Sequence, residues 1–417
     1  MIRTLLPADP VARALSFATM SAAFSSGLFY SVSALFFTRV IGLSATTVGL
    51  GLSVAGAVGV LASFLGGRLS DRFGADRVQV VANGLQGLAL LAYVLADDTT
   101  SFVAIACCAV GFRALQGSAK ATMLARWFTG PDRVQVRARL RVVTNVFIGL
   151  GTVLAGLALL VGSAAAYRTT MVIAGVLALA ATLPLTGLRQ RIPDLAVRMR
   201  RPVDATGAVT VGRSPLRDRT YVASVALNSV MALQFGLQNV GIPLWIAGHT
   251  EAPTVMISAL MVVNTVFVAL AQVRASRGTH DVLVAGRTVR RAGLLLGVAC
   301  LLYAAAGSVG VVLAVVVLLA AELVASAAEV WSEAGGWGLA FELADPVNAG
   351  AYQGLSQMGY SLAGMLAPAV VTVTAIEHGA AGWAVLGAGF AVTGVLVARL
   401  AAHAAATRPA VPVELVA

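Results

Sequence analysis

Apolar stretches of about twenty residues, broken by short polar interruptions, recur along all 417 residues of the chain. Cutting at the interruptions gives spans near 14 to 38, 46 to 66, 78 to 96, 101 to 125, 140 to 162 and 168 to 188. Six more follow near 220 to 246, 254 to 274, 288 to 306, 309 to 334, 348 to 374 and 380 to 402. A run of about 20 apolar residues crosses a bilayer as a helix, whereas a membrane barrel would show short strands of alternating polarity. The pattern predicts an all-α membrane protein with twelve transmembrane helices. The longest polar stretch, 189 to 219, carries Pro193, Pro202 and Pro215 with eight arginines and separates six spans from six. It divides the chain into an N-terminal six-helix bundle (1–188), a cytoplasmic linker (189–219) and a C-terminal six-helix bundle (220–417). Two pseudo-symmetric bundles are what rocking about a site between repeats would need.

Composition and charge narrow the function. The chain is 59% hydrophobic and 11% charged, far below the charged share of roughly a quarter in soluble domains, so a water-soluble globule is excluded. Net charge +11 would suit a nucleic-acid partner, but the placement of the basic residues argues topology instead. All but four of the 29 Lys and Arg fall in loops of one side: Arg3 and Arg13, Arg68 to Arg77, Arg126 to Arg141, Arg189 to Arg219, Arg274 to Arg291, and Arg399 with Arg408. Arg39 and Arg168 lie in the opposite loops, and Arg113 and Lys120 fall within a span. The loaded side is cytoplasmic by the positive-inside rule, with both termini there. The partners are then the lipid bilayer and a small molecule, with no nucleic acid. Arg13 precedes the first apolar segment as in a signal peptide, but that segment is long and opens a series of similar spans, so no cleavage is expected.

Cys107, Cys108 and Cys300 lie in apolar segments and read as small buried side chains rather than disulfides. The four histidines are widely separated, and no phosphate loop, dinucleotide turn or nucleophile with an orienting base is present. No metal, cofactor or enzymatic activity is expected. Arginine in place of nearly all lysine, with abundant Ala, Gly and Val, fits a genome rich in guanine and cytosine and points to the inner (plasma) membrane of a bacterium. A monomer is expected.

Two motifs carry a resemblance. Between the second and third spans lies Gly67-Arg-Leu-Ser-Asp71-Arg72-Phe-Gly74-Ala-Asp76-Arg77. It resembles the signature loop of the major facilitator superfamily, Gly-x-x-x-Asp-Arg-x-Gly followed by basic residues. Gly67, Asp71, Arg72, Gly74 and Arg77 match, while Ala75 and Asp76 stand at usually basic positions. The fourth span holds Arg113-Ala-Leu-Gln116-Gly117-Ser-Ala119-Lys120-Ala121, similar to the family's second motif Arg-x-x-Gln-Gly-x-Gly-x-Ala with Ala119 for the second glycine. The resemblance covers nearly the whole chain and is strongest to the twelve-helix drug:proton antiporter branch. It implies alternating access, a proton-transfer role for Arg113, and a cytoplasmic latch in which Asp71 meets the start of the eleventh helix. Pro346 is taken as that start, with Asp345 as a like charge that would blunt the latch. The second-half counterpart of the loop, Ala271 to Gly278, keeps only Gly278 and a basic character. The fifth span has the small residues of the exporters' antiporter motif, Gly149, Gly151 and Gly156, without its proline; its glycines are expected to permit close helix approach.

Read without the family, Arg113 still stands out. An arginine at the centre of a spanning helix costs roughly 2.5 to 3.5 kcal/mol on the lenient insertion scale, so it should face a partner or a water-filled cavity. Gln116, Gly117 and Lys120 follow on the same helical face, although Lys120 could equally snorkel to the cytoplasmic interface. In the tenth span Glu322, Ser326, Glu329 and Glu333 recur at helical spacing as one polar stripe, with Glu333 read as its solvated end. Arg113 and Lys120 are expected to face Glu322 and Glu329 across a central cavity, where movement between conformations loads and releases a proton. Tyr30, Gln116, Lys120, Asn228, Gln238, Ser326 and Gln357 are the candidate substrate-cavity residues. The expected function is proton-coupled export of a small, partly hydrophobic organic compound. A proton-coupled metabolite importer, or a non-transporting sensor of the same fold, are the alternatives.

Overall fold

The structure is a computed structural model that describes residues 7–202, 210 and 212–407; Arg3 and Arg408 lie outside the described residues. Twelve apolar helices succeed one another: α1 (Pro10–Val40), α2 (Ala45–Phe73), α3 (Ala75–Leu95), α4 (Thr99–Trp127), α5 (Pro131–Val161), α6 (Ala164–Ala180), α7 (Arg219–His249), α8 (Val255–Ala275), α9 (Val282–Ala306), α10 (Val311–Glu342), α11 (Ala349–Ile376) and α12 (Gly379–Thr407). All but the shorter α6 are long and apolar enough to cross a membrane. No strand occurs among the described residues.

Most of the helices outrun the apolar stretches that announce them, because a helix ends where its backbone is capped rather than where the hydrocarbon ends, whereas α6 stops at Ala180, short of its 168–188 stretch. The Asp9 carboxylate accepts from Ala12 N at 2.8 Å, and Ser44, Asp98, Ser163, Asp218 and Asp281 cap α2, α4, α6, α7 and α9 in the same way. The exposed Asp98 carboxyl is held below its ordinary range by the neighbouring Ser101 side chain and by the Ser101 backbone N–H, which donates to Oδ1 at 2.7 Å. A π-helical turn, Leu237–Gly241, interrupts α7 just before Pro243, which has no N–H for the ordinary helical bond and crowds the preceding turn.

The chain forms two compact units. The first comprises Met1–Phe128, Arg139–Pro215 and Asp345–Ser361, and the second Thr129–Ala138, Leu216–Ala344 and Leu362–Ala417. Within the first, α1 packs on α6, α2 on α4, and α3 on both α4 and α6. Within the second, α7 packs on α12, α8 on α10, and α9 on both α10 and α12. Each of these pairings recurs six helices later, so the repeat that the second-half loop scarcely shows in sequence is explicit in packing.

Close crossings rest on particular glycines. Of the fifth-span glycines only Gly151 makes one, against Phe24 and Gly27 of α1; Gly149 and Gly156 meet nothing within 4 Å, which corrects the expectation for them. In the second unit a Cβ on Gly293 of α9 would stand 2.5 Å from the Phe390 carbonyl and 3.0 Å from Gly394 Cα of α12. Gly293→Val should therefore destabilise the protein by about 1–3 kcal/mol through overpacking. Gly389→Val, at a position that is open within 4 Å, should leave the thermal unfolding midpoint in detergent unchanged. The cysteines also need a correction: Cys300 is buried and Cys107 partly so, but Cys108 is exposed. Consecutive residues on a helix point about 100° apart, so a helix that packs on one side buries only one of such a pair.

Candidate functional site

Three clusters hold most of the candidate residues. The first is the signature loop. Gly67 is buried where α2 meets the start of α11 backbone to backbone; a Cβ there would collide with the Gly350 carbonyl and come within 2.7 Å of Gly354 Cα. One turn on, the Asp71 carboxylate is 1% exposed. Its two oxygens accept from Gly350 N at 2.9 Å and Ala351 N at 2.8 Å, in the first turn of α11. Arg126, at the end of α4, donates to the same carboxylate at 2.5 Å, to Val347 O at 3.2 Å and to Arg200 O at 2.7 Å. A carboxylate thus sits on the positive end of a helix with a guanidinium beside it, where charge-assisted hydrogen bonds are strong.

α11 starts at Ala349, not at Pro346. The cause is local: Asp345 Oδ1 takes the Val347 N–H at 2.9 Å in a side-chain turn, and its Oδ2 takes Arg213 N at 2.6 Å. Asp345 is therefore engaged in shaping this turn. Gly74, with φ +96°, makes the break between α2 and α3. Arg72 and Arg77 are exposed, Arg72 lying 5.2 Å over the Phe73 ring. The unusual acid of the loop, Asp76, is 6% exposed and has a partner: Arg189 of the linker grips it through Nε and, at 2.7 Å, through Nη2. That hydrogen-bonded carboxylate raises the Arg189 pKa. Arg189→Ala should leave Asp76 buried without its cation and lower stability by about 1–3 kcal/mol, read as the unfolding midpoint; the Asp76→Asn/Arg189→Ala pair should recover part of the loss.

The second cluster is a cavity of about 140 Å³ in the first unit, walled by α1, α3, α4 and α5. The α4 face carrying Arg113, Gln116 and Lys120 lines it, as does Tyr30 of α1. Arg113 Nη1 donates to the Tyr30 hydroxyl at 2.5 Å, and the guanidinium lies 5.8 Å over that ring. From α3 come Gln79, Asn83 and Gln86, which sequence reasoning did not place among the cavity residues. Their spacing of four and three is itself a polar stripe, the same signal that picked out α10.

The third cluster lies in the second unit. Glu322, Ser326 and Glu329 of α10 are each at most 2% exposed. Tyr303 of α9 donates to Glu322 Oε2 at 2.6 Å, and Ser326 to Glu322 Oε1 at 3.4 Å. Asn264 of α8 donates to Ser326 Oγ at 3.2 Å and to Glu329 Oε2 at 2.8 Å. Gln238, on the π-helical turn of α7, donates to that same oxygen at 2.8 Å. One hydrogen-bonded chain thus joins both carboxylates and draws on four helices. Glu333 is 4% exposed, not a solvated end, because α10 continues more than two turns beyond it. Asn228 spends its amide on Ser224 O of its own helix at 2.8 Å, and Gln357 lies beside Gly117, its Nε2 3.2 Å from where a Cβ would stand. Arg113 makes its hydrogen bond to Tyr30 within the first unit, and Glu322 and Glu329 make theirs to Tyr303, Ser326, Asn264 and Gln238 within the second. Among the described residues no group of three or more His, Cys, Asp or Glu could hold a metal ion.

The chain matches the family model of the Major Facilitator Superfamily over residues 15–368. No curated protein sequence matches it. Among solved structures it is similar to the human organic anion transporter MFSD10 (TETRAN), at 16% identity and TM-score 0.70 over 93% of this chain and 99% of that one. It is also similar to a bacterial homologue of the iron transporter ferroportin in an outward-facing state, at 12% identity and TM-score 0.72 over 95% and 99%. The proton:xylose symporter XylE bound to 6-bromo-6-deoxy-D-glucose aligns at 15% identity and TM-score 0.68 over 96% of this chain and 95% of that one. At such identities the likeness is one of fold, and the family match spans more than three quarters of the sequence. The chain belongs to the major facilitator superfamily and is a multi-pass membrane protein with that family's transporter fold.

Proposed function

We propose that the protein is a proton-coupled exporter of the drug:proton antiporter kind, carrying a small, partly hydrophobic organic compound out of a bacterial cell across its inner membrane by alternating access. The half-bundles are 1–188 and 220–417, the cytoplasmic linker is 189–219, both termini are cytoplasmic, and the unit of transport is a monomer. The observation that supports coupling most is the buried chain of hydrogen bonds joining Glu322 and Glu329. Acidic residues at membrane depth are expensive and mark proton paths. Glu329 Oε2 receives two amide N–H groups, one of them from the π-helical turn of α7. Withdrawing either donor changes the cost of holding charge there, so a movement of α7 loads or discharges a proton. Arg113 supplies the fixed positive charge of the first unit to the same cycle, and Asp71 on the α11 end is the cytoplasmic latch.

Direction is tested in inverted membrane vesicles with an imposed pH gradient. An acid interior should drive uptake of the exported compound and an alkaline interior should not. Accumulation driven by the opposite gradient would identify an importer instead.

A further inference from the structure

Among the described residues, Arg113 and Lys120 line the first-unit cavity and no carboxylate does. Arg113 makes its hydrogen bond to a neutral hydroxyl, and among the described residues no carboxylate lies within ion-pair distance of it. A guanidinium at membrane depth is stabilised by an anion, and its planar fork fits a carboxylate through two hydrogen bonds. Along α3 the chemistry is complementary. Gln79 and Asn83 are each 2% exposed, both line the cavity, and Gln79 Oε1 and Asn83 Oδ1 receive no hydrogen bond. Buried amide oxygens without a donor are costly, so both are acceptors that a ligand can satisfy. The cavity follows α1 from Thr19 to Tyr30, a rise of about 16 Å at 1.5 Å per residue, with Ala18, Ala22 and Ile148 giving it apolar surface.

We infer that this cavity binds a small organic anion, its carboxylate held by Arg113 and a hydroxyl or N–H group of its body donated to Asn83 or, for a longer ligand, to Gln79. The inference deepens the proposed transport function and rests on it, fixing the substrate class as an amphiphilic anion that carries a hydrogen-bond donor.

The test uses one skeleton with three charges: 4-hydroxyphenylacetate, 2-(4-hydroxyphenyl)ethanol and tyramine. Binding to the purified full-length protein in detergent at pH 7 is read as ligand-dependent thermal stabilisation, without any proton gradient. The carboxylate should bind about tenfold or more tightly than the alcohol or the amine. Arg113→Gln should erase that preference and Arg113→Lys should keep part of it, each variant being checked as monodisperse. Asn83→Leu should remove the advantage of 4-hydroxyphenylacetate over phenylacetate. Equal binding of amine and carboxylate, unchanged carboxylate binding in Arg113→Gln, or no binding of any probe to the folded protein each overturns the inference. Anion binding that persists without ligand-driven proton movement would sink the coupling proposal alone; proton-driven transport of cations without anion binding would sink this inference alone.

Discussion

Glu322→Gln/Glu329→Gln transporter, reconstituted into liposomes, is expected to lose gradient-driven transport and to keep measurable ligand binding. Glutamine preserves the volume of each side chain and can still accept from Tyr303, Asn264 and Gln238, so the network of α7, α8, α9 and α10 survives in outline. What it cannot do is gain or lose a proton. The single variants should differ from each other. Glu329 takes two amide donors on one oxygen, one from the interrupted turn of α7, so Glu329→Gln should weaken coupling the more, whereas Glu322 is held by Tyr303 and Ser326. Counterflow, which needs alternating access but no net proton movement, should continue in the double variant. Counterflow lost together with driven transport would make the pair structural and not coupling.

The second large effect is expected at Asp71. Asp71→Asn removes the charge between the first turn of α11 and Arg126, whose side chain is only 6% exposed. Breaking one member of a buried ion pair typically costs about 3–5 kcal/mol, and the amide cannot accept from Gly350 N, Ala351 N and Arg126 together. The cost falls on the contact between α2 and the α11 start. Opening of that contact should rise by roughly two to four orders of magnitude. The readout is maleimide labelling of Ser356→Cys, a buried position on α11, in a background with Cys107, Cys108 and Cys300 replaced by alanine. Asp71→Asn should accelerate labelling steeply, and adding Arg126→Gln should return part of the way by removing the orphaned cation. Labelling that stays at the wild-type rate in Asp71→Asn would contradict the latch.

Much of the fold is legible in the sequence because membrane helices leave a coarse signal. Length and polarity give the spans, and the α10 stripe follows from spacing alone, since Glu322, Ser326 and Glu329 can share a face only in a helix. Partnership over long separations is not legible. Arg126 lies 55 residues from Asp71 and Arg189 lies 113 from Asp76, and nothing local distinguishes these arginines from the other loop arginines around them. Asn264 and Tyr303 escape notice for the opposite reason: a single polar residue in an apolar helix usually means packing, and only the fold brings both to the α10 glutamates. Glu333 and Cys108 mislead because burial in a bundle depends on which side of a helix has a neighbour, a tertiary fact that hydropathy does not carry. The α3 stripe of Gln79, Asn83 and Gln86 is in plain view, yet easily passed over because amides carry no charge.

In the proposed function, ligand movement and proton movement are one process routed through Glu322 and Glu329. Its test is to record internal pH in proteoliposomes while cationic, neutral and anionic compounds are added under a fixed gradient. Wild-type protein should show proton flux evoked by a transported compound, and Glu322→Gln/Glu329→Gln should show none. Transport by the wild type without proton movement, or evoked proton flux that persists in the double variant, would contradict it.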